Sequence, residues 1–219
     1  WAPDHFILGE AMYECWTLLA AIGAVTQKIR IGPLLLCYSH RNPSLVAKMA
    51  ATLDVISGGR LNFGIGAGWH KAEHAAYGLP WSDNPRTRIR SMIEAIEIVK
   101  ALWTQERVTY QGTVFSTNQA VCHPRPVQKP HPPVWIGGGG EKLLLPAVAK
   151  YADGWNVPAL PAEEYARKLR VLKDHCERSG SEFERIEKSM ETRIMVTNDQ
   201  WELERIKKWL ISFSSYNIH

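Results

Sequence analysis

Cysteine is scarce: Cys15, Cys37, Cys122 and Cys176 lie far apart and form no C-x-x-C pair. In a chain of 219 residues this excludes a disulfide framework and reads as reduced thiols of a cytosolic protein. Long apolar runs are missing as well. None reaches the roughly 18 residues that a membrane span needs, and no signal peptide is visible. No sign of charge dominates. Lys and Arg total 26 against 22 Asp and Glu, and the net charge of +4 is too mild and too evenly spread for a nucleic-acid surface. A repeat of fixed sequence is absent. The composition, 45% apolar and 22% charged, leaves no room for disorder, collagen or a coiled coil. An initiator methionine is also lacking. The chain opens Trp1-Ala2-Pro3-Asp4 and stops at His219 inside a helix-like pattern, so a fragment cut at both ends is expected.

What is present is an alternation. Apolar stretches at Trp1 to Phe6, Lys28 to Cys37, Arg60 to Gly66, Val134 to Gly137, Gly154 to Pro158 and Ile186 to Thr197 read as six strands. Helical patterns follow nearly every one: Glu14 to Thr26, Pro43 to Gly58, about Arg86 to Thr104, Glu141 to Tyr151, Glu163 to Arg178, and Asp199 onward. Ala67 to Pro85 reads as irregular, Val108 to Ala120 as a small hairpin excursion, and the prolines from Pro124 to Pro133 as an extended connector. Alternation at this spacing means a parallel sheet with right-handed crossovers, either open and doubly wound or closed into an eight-stranded barrel. In both, chemistry sits at the carboxyl ends of the strands. Unusual residues cluster there: Asp4-His5, Leu34 to His40, Gly64 to His70 and Gly137 to Lys142.

Four consecutive glycines, Gly137 to Gly140, follow a strand and open a helix. Their bare N–H groups and the positive helix end make a seat for a phosphate. A flexible turn is the plainer alternative, although so many glycines are costly to order. Gly64-Ile65-Gly66-Ala67-Gly68 lacks the third glycine of a dinucleotide fingerprint, since Trp69 stands there. Close approach of backbone to a flat ligand is the better use for it. His70-Lys71-Ala72-Glu73-His74 matches the order H-x-x-E-H of a class of zinc peptidases. Glycines on either side leave little helix for it, so a polar loop at a pocket rim is preferred and no metal is expected. His5 at a strand end is placed to give or take a proton near neutral pH. Arg86, Arg88 and Arg90 face either an anionic cofactor or solvent. The nine tryptophans fit an aromatic-lined site but equally large core fillers.

Together these segments resemble the luciferase-like oxidoreductases. The likeness is carried by Trp1-Ala2-Pro3-Asp4-His5-Phe6, Glu14 to Ala21, IRIGPLL from Ile29 to Leu35, Arg41-Asn42-Pro43, Leu53 to Leu61, and FGIGAGW from Phe63 to Trp69. Pro126-Val127-Gln128, PPVWIGGGG from Pro132 to Gly140, and Tyr151 to Asn156 complete it, in the family's order. The resemblance implies a TIM-type eight-stranded β/α barrel, of which these residues hold about strands two to seven. It implies a cofactor, the deazaflavin coenzyme F-420 or alternatively flavin mononucleotide (FMN), and a small-molecule substrate. By resemblance the ring rests on a bulge with a non-prolyl cis peptide at Leu34-Leu35, the phosphate on Gly137, Gly138, Gly139 and Gly140, and the ring pocket on Asp4, His5, Gly66 and Trp69. His5 is then the proton relay. A homodimer is implied for the intact protein. One departure stands out: some deazaflavin-dependent dehydrogenases carry a catalytic Glu where this chain has Trp69, and Glu73 lies near enough to replace it.

The function expected on this basis is hydride transfer between coenzyme and a small organic substrate. The alternatives are an FMN-dependent monooxygenase, a non-catalytic flavin-binding protein and, last, a zinc peptidase. An incomplete barrel also leaves two unpaired edges, so residues 1–219 alone are expected to aggregate.

Overall fold

The computed structural model describes residues 1–8, 11–192 and 196–214. Its centre is a parallel sheet of β1 (Leu36–Cys37), β2 (Phe63–Gly66), β5 (Val134–Gly137), β6 (Gly154–Pro158) and β7 (Glu187–Glu191), in that spatial order. β3 (Val108–Gln111) and β4 (Ser116–Ala120) form the antiparallel hairpin expected between the second and third crossings. A further strand-like segment lies outside β1: Ala2 donates to Gly32 O at 3.0 Å and accepts from Leu34 N–H at 2.8 Å. Sequence order and spatial order therefore coincide, as they do in an arc of a β/α barrel. β1, β2, β5 and β6 are almost wholly buried because both faces are covered, whereas the edge strand β7 is polar and largely exposed. Leu36, Phe63, Ile65, Val134, Ile136, Trp155 and Val157 are all buried.

Three of the helices begin where a side chain replaces the missing backbone partners. Asn42 accepts from Ser44 N–H at 2.9 Å, with Pro43 in the first turn of α2 (Pro43–Ile56). Asn84 does the same for Arg86 at 3.0 Å, with Pro85 opening α4 (Pro85–Thr104). Glu14 caps α1 (Cys15–Val25). α2 packs on α4 and α5 (Leu144–Tyr151) on α6 (Ala162–Ser179), burying one apolar stripe each. α6 stops at Gly180, whose φ of 69° places it in the left-handed region. α7 (Gln200–Ser214) closes the described chain. No helix among the described residues is long and apolar enough to cross a membrane.

Several boundaries differ from expectation. The strand foreseen over Lys28 to Cys37 pairs continuously only at Leu36–Cys37, with single bridges at Ile31 and Pro33; Pro33 has no N–H for a ladder. The span from Ala67 to Pro85 contains a six-residue helix, α3 (Lys71–Ala76). α5 starts at Leu144 and not Glu141, after a turn. The last strand ends at Glu191, and residues 193–195 of the expected strand lie outside the described residues. The four cysteines are free and buried.

Candidate active site

The carboxyl end of the sheet carries a buried chain of charges. Asp4 is 1% exposed. Its two oxygens take a forked ion pair from Arg41, each bond 3.0 Å, and Oδ2 also accepts from Cys37 N–H at 3.1 Å. Arg41 reaches on to Glu14, so the cap of α1 and the site share one cation. His40 comes next. Its Nδ1 lies 3.3 Å from Asp4 Oδ2 and its Nε2 3.7 Å from Glu73 Oε2. Glu73, on α3, is fully buried and receives three hydrogens. Phe6 and Ile7 donate backbone N–H to Oε1 at 2.5 and 3.1 Å, and His5 Nδ1 lies 3.0 Å from Oε2. An ionised carboxylate only accepts, so His5 carries a hydrogen on Nδ1, and in the neutral ring this leaves Nε2 free. The His5 side chain is 18% exposed, against 1% for His40.

The charges set one another's protonation. Burial pushes the Asp4 carboxyl up, but His40 and Arg41 outweigh it and hold Asp4 below the ordinary 3.8. Glu73 likewise lies below 4.5, because the Phe6 and Ile7 N–H groups and His5 overcome its burial. Burial alone would lower His40, yet Asp4 and then Cys37 raise it to about 9. The imidazole at position 40 is therefore a cation at neutral pH.

Beside this chain lies a steric arrangement built on glycine. The Leu34–Leu35 peptide is cis, at the position the resemblance indicated. The Leu35 side chain occupies the space that β-carbons at neighbouring strand ends would need. A Cβ on Gly137 would lie 1.6 Å from Leu35 Cδ1, and one on Gly64 would lie 2.9 Å from Cδ2. A Cβ on Gly66 would lie 3.6 Å from Leu35 Cβ, an ordinary contact. Leu35 thus forms the floor of the mouth, flanked by Gly66 and Gly137.

Gly137 ends β5, and Gly138, with φ 123°, donates to Asn156 O at 2.9 Å. Gly140 accepts from both Leu144 and Leu145 and so joins the loop to α5, whose start has no side-chain cap. From α6, Lys168 donates to Gly139 O at 2.9 Å and to Glu141 at 3.2 Å. The loop is a cradle without β-carbons, at a helix start, beside a nearly buried ammonium. That donor set fits a phosphate.

Trp69 is exposed; it stacks on His70 with centroids 5.0 Å apart and meets His5 edge-on at 5.3 Å. His70 Nδ1 is buried without a partner among the described residues. The H-x-x-E-H residues do not converge as a peptidase site. Glu73 serves His5, while His74 turns away: its Nδ1–H donates to His70 O at 2.9 Å and its Nε2 accepts from the Ser39 hydroxyl at 2.8 Å. Two groups of three lie within ligating distance of one another, Cys37–His40–His74 and His5–His70–Glu73. In the first, Ser39 already engages Cys37 Sγ and His74 Nε2; in the second, His5 and Glu73 bond to each other and His70 Nδ1 is unpartnered among the described residues. Arg88 is spent on Ser82 O at 2.6 Å and on the Trp81 face, and Arg86 and Arg90 are exposed. His40, Arg41 and Lys168 were not singled out in sequence as site residues. Arg41 was visible only as part of Arg41-Asn42-Pro43, and Lys168 sits in an ordinary amphipathic helix.

Comparison with known proteins follows this geometry. F420-dependent glucose-6-phosphate dehydrogenase of Microbacterium testaceum is 33% identical over 195 residues, 87% of this chain and 56% of that protein. FMNH(2)-dependent dimethylsulfone monooxygenase of Pseudomonas putida is 34% identical over 126 residues, 58% of this chain and 34% of that protein. The coenzyme F420-dependent tetrahydromethanopterin reductase of Methanopyrus kandleri superposes with a TM-score of 0.78 at 26% identity, covering 90% of this chain and 58% of that one. The chain spans about half the length of the curated relatives it matches. The model of the luciferase-like monooxygenases matches residues 1–217, and this chain belongs to that family.

Proposed function

We propose that this chain forms the cofactor-binding part of an oxidoreductase that moves a hydride between the deazaflavin coenzyme F-420 and a small organic substrate. One observation carries the reading. A histidine with its proton held on Nδ1 by a buried carboxylate stands at the same sheet end as a glycine cradle suited to phosphate. Gly137, Gly138, Gly139 and Gly140 would hold the phosphate, and Leu34, Leu35, Gly66 and Trp69 would line the ring pocket, with Asp4, buried against Arg41 and His40, bracing its wall. When bound, the coenzyme supplies or accepts the hydride. The protein handles the proton. His5 Nε2 accepts it from a substrate hydroxyl as that carbon is oxidised, and the resulting imidazolium is paired with Glu73. In the reverse direction Nε2 returns it. Trp69, exposed beside His5, would shield the ring from water.

F-420 is preferred to FMN because the matching F420-dependent relative aligns with 87% of this chain and the FMNH(2)-dependent one with 58%. Fluorescence titration of the full chain with each coenzyme tests the choice. Tight FMN binding with no F-420 binding overturns it. Product labelled from isotopic oxygen would then identify a monooxygenase.

A further inference from the structure

The proton-handling histidine has one direct partner, Glu73, and Glu73 has an unexplained neighbour. His40 is buried, with only 1% of its side chain exposed, and both its ring nitrogens face carboxylates from other parts of the chain. Nδ1 faces Asp4, on the N-terminal segment, and Nε2 faces Glu73, on α3. The distances, 3.3 and 3.7 Å, are those of ion pairing, and neither nitrogen makes an aligned hydrogen bond with any described residue.

Every charged or titratable group around the ring bears on its role. Asp4 is already matched by Arg41. Cys37 ends β1 just before the turn that carries His40, and His74 approaches from α3 with ring centroids 5.1 Å apart. Phe6 stacks on the ring at 4.7 Å and fixes its plane. Glu73, in contrast, has no Lys or Arg within ion-pair reach among the described residues; its nearby cation is His40.

We propose that His40 is a positioning residue: as a cation between two carboxylates it ties Glu73 to the Asp4–Arg41 pair and so holds His5 in the Nδ1–H tautomer with Nε2 free. This rests on the reading of His5 as the proton relay. The chemical need is plain. Free imidazole leans toward the other tautomer, which would place a hydrogen on Nε2 and a lone pair against a carboxylate. Glu73 prevents that only while it stays ionised and in place. A neutral group at position 40 would leave its charge to two backbone N–H groups and His5.

Nitrogen-15 NMR of histidine-labelled full chain, without coenzyme, tests this at pH 7. In the wild-type protein both His40 nitrogens are expected to be protonated and His5 to be the Nδ1–H form. In His40→Gln the ratio of Nδ1–H to Nε2–H tautomer at His5 is expected to fall several-fold. A bare nitrogen on His40 in the wild-type protein, or an unchanged His5 ratio in the variant, overturns the proposal. The wild-type measurement stands even if the variant does not fold. Failure of the chain to bind either F-420 or FMN would defeat the proposed function while leaving the tautomer result readable.

Discussion

Leu35 occupies space that Gly137 and Gly64 leave open, and they do not protect it equally. At Gly137 a methyl group would strike Leu35 Cδ1, the far end of a side chain that can move. At Gly64 it would strike the Pro33 carbonyl oxygen at 2.2 Å, which is backbone and cannot. Gly137→Ala is therefore expected to destabilise by about 1–3 kcal/mol, and Leu35→Ala in the same chain to recover much of that loss. Gly64→Ala is expected to cost more and to gain nothing from Leu35→Ala. Urea melts of the single and double variants measure the coupling, and equal rescue at both positions would contradict the geometry. At this scale the sequence was partly readable. The glycine run stood out by itself, whereas the Asp4-His5 pair gained weight, and the Leu34-Leu35 position emerged, only through the family resemblance. The bond from His5 to Glu73 did not, because it joins residues 68 apart and depends on how α3 folds back over the N-terminal segment.

Among elements, the two ends of the sheet do different work. The end opposite the mouth is closed by Arg60, which donates to Ser57 O, Thr26 O and Oγ1, Ile29 O and Gly23 O at 2.6 to 3.0 Å. It thereby satisfies the last carbonyls of α1 and places a cation at that helix's negative end. Asp54 of α2 likewise takes the Val127 and Gln128 N–H groups and anchors the proline-rich connector. Arg60→Met leaves those carbonyls unpaired and is expected to lower stability by about 2–3 kcal/mol. Coenzyme affinity of the folded fraction should not change, because the site is at the other end of the strands. Paired melting and fluorescence titration check both halves, and a large loss of affinity at undiminished stability would reverse the assignment. Elements with a strong 3.6-residue period, α4 and α6 above all, were legible in advance. α3 was not: six residues between glycine-containing turns carry too little periodicity to register.

For the molecule as a whole, the charge chain at the mouth couples folding to pH. It joins the N-terminal segment, β1, α1 and α3, so its protonation is felt by the global equilibrium. Asp4 and Glu73, held below 3.8 and 4.5, stabilise the fold above those values and lose that contribution as pH falls through their depressed values. His40 works in the opposite sense. Its raised value of about 9, against 6.5 when unfolded, gives stabilisation that is complete below 6.5 and is lost as pH rises toward 9. The network therefore favours folding most between about 4.5 and 6.5. Melting temperature is expected to decline from pH 6.5 to 9 in the wild-type chain, and this alkaline limb should flatten in His40→Gln. The acid limb should persist in that variant, since Asp4 keeps Arg41 and the Cys37 N–H. Asp4→Asn should weaken both limbs, because it removes one of the carboxylates and the partner that raises His40. Parallel limbs in all three proteins would show that the mouth network does not govern the pH dependence of folding. The parallel sheet was legible from strand–helix alternation and the barrel only through the family resemblance, but this coupling was not. It arises only when segments distant in sequence are brought to one end of the sheet.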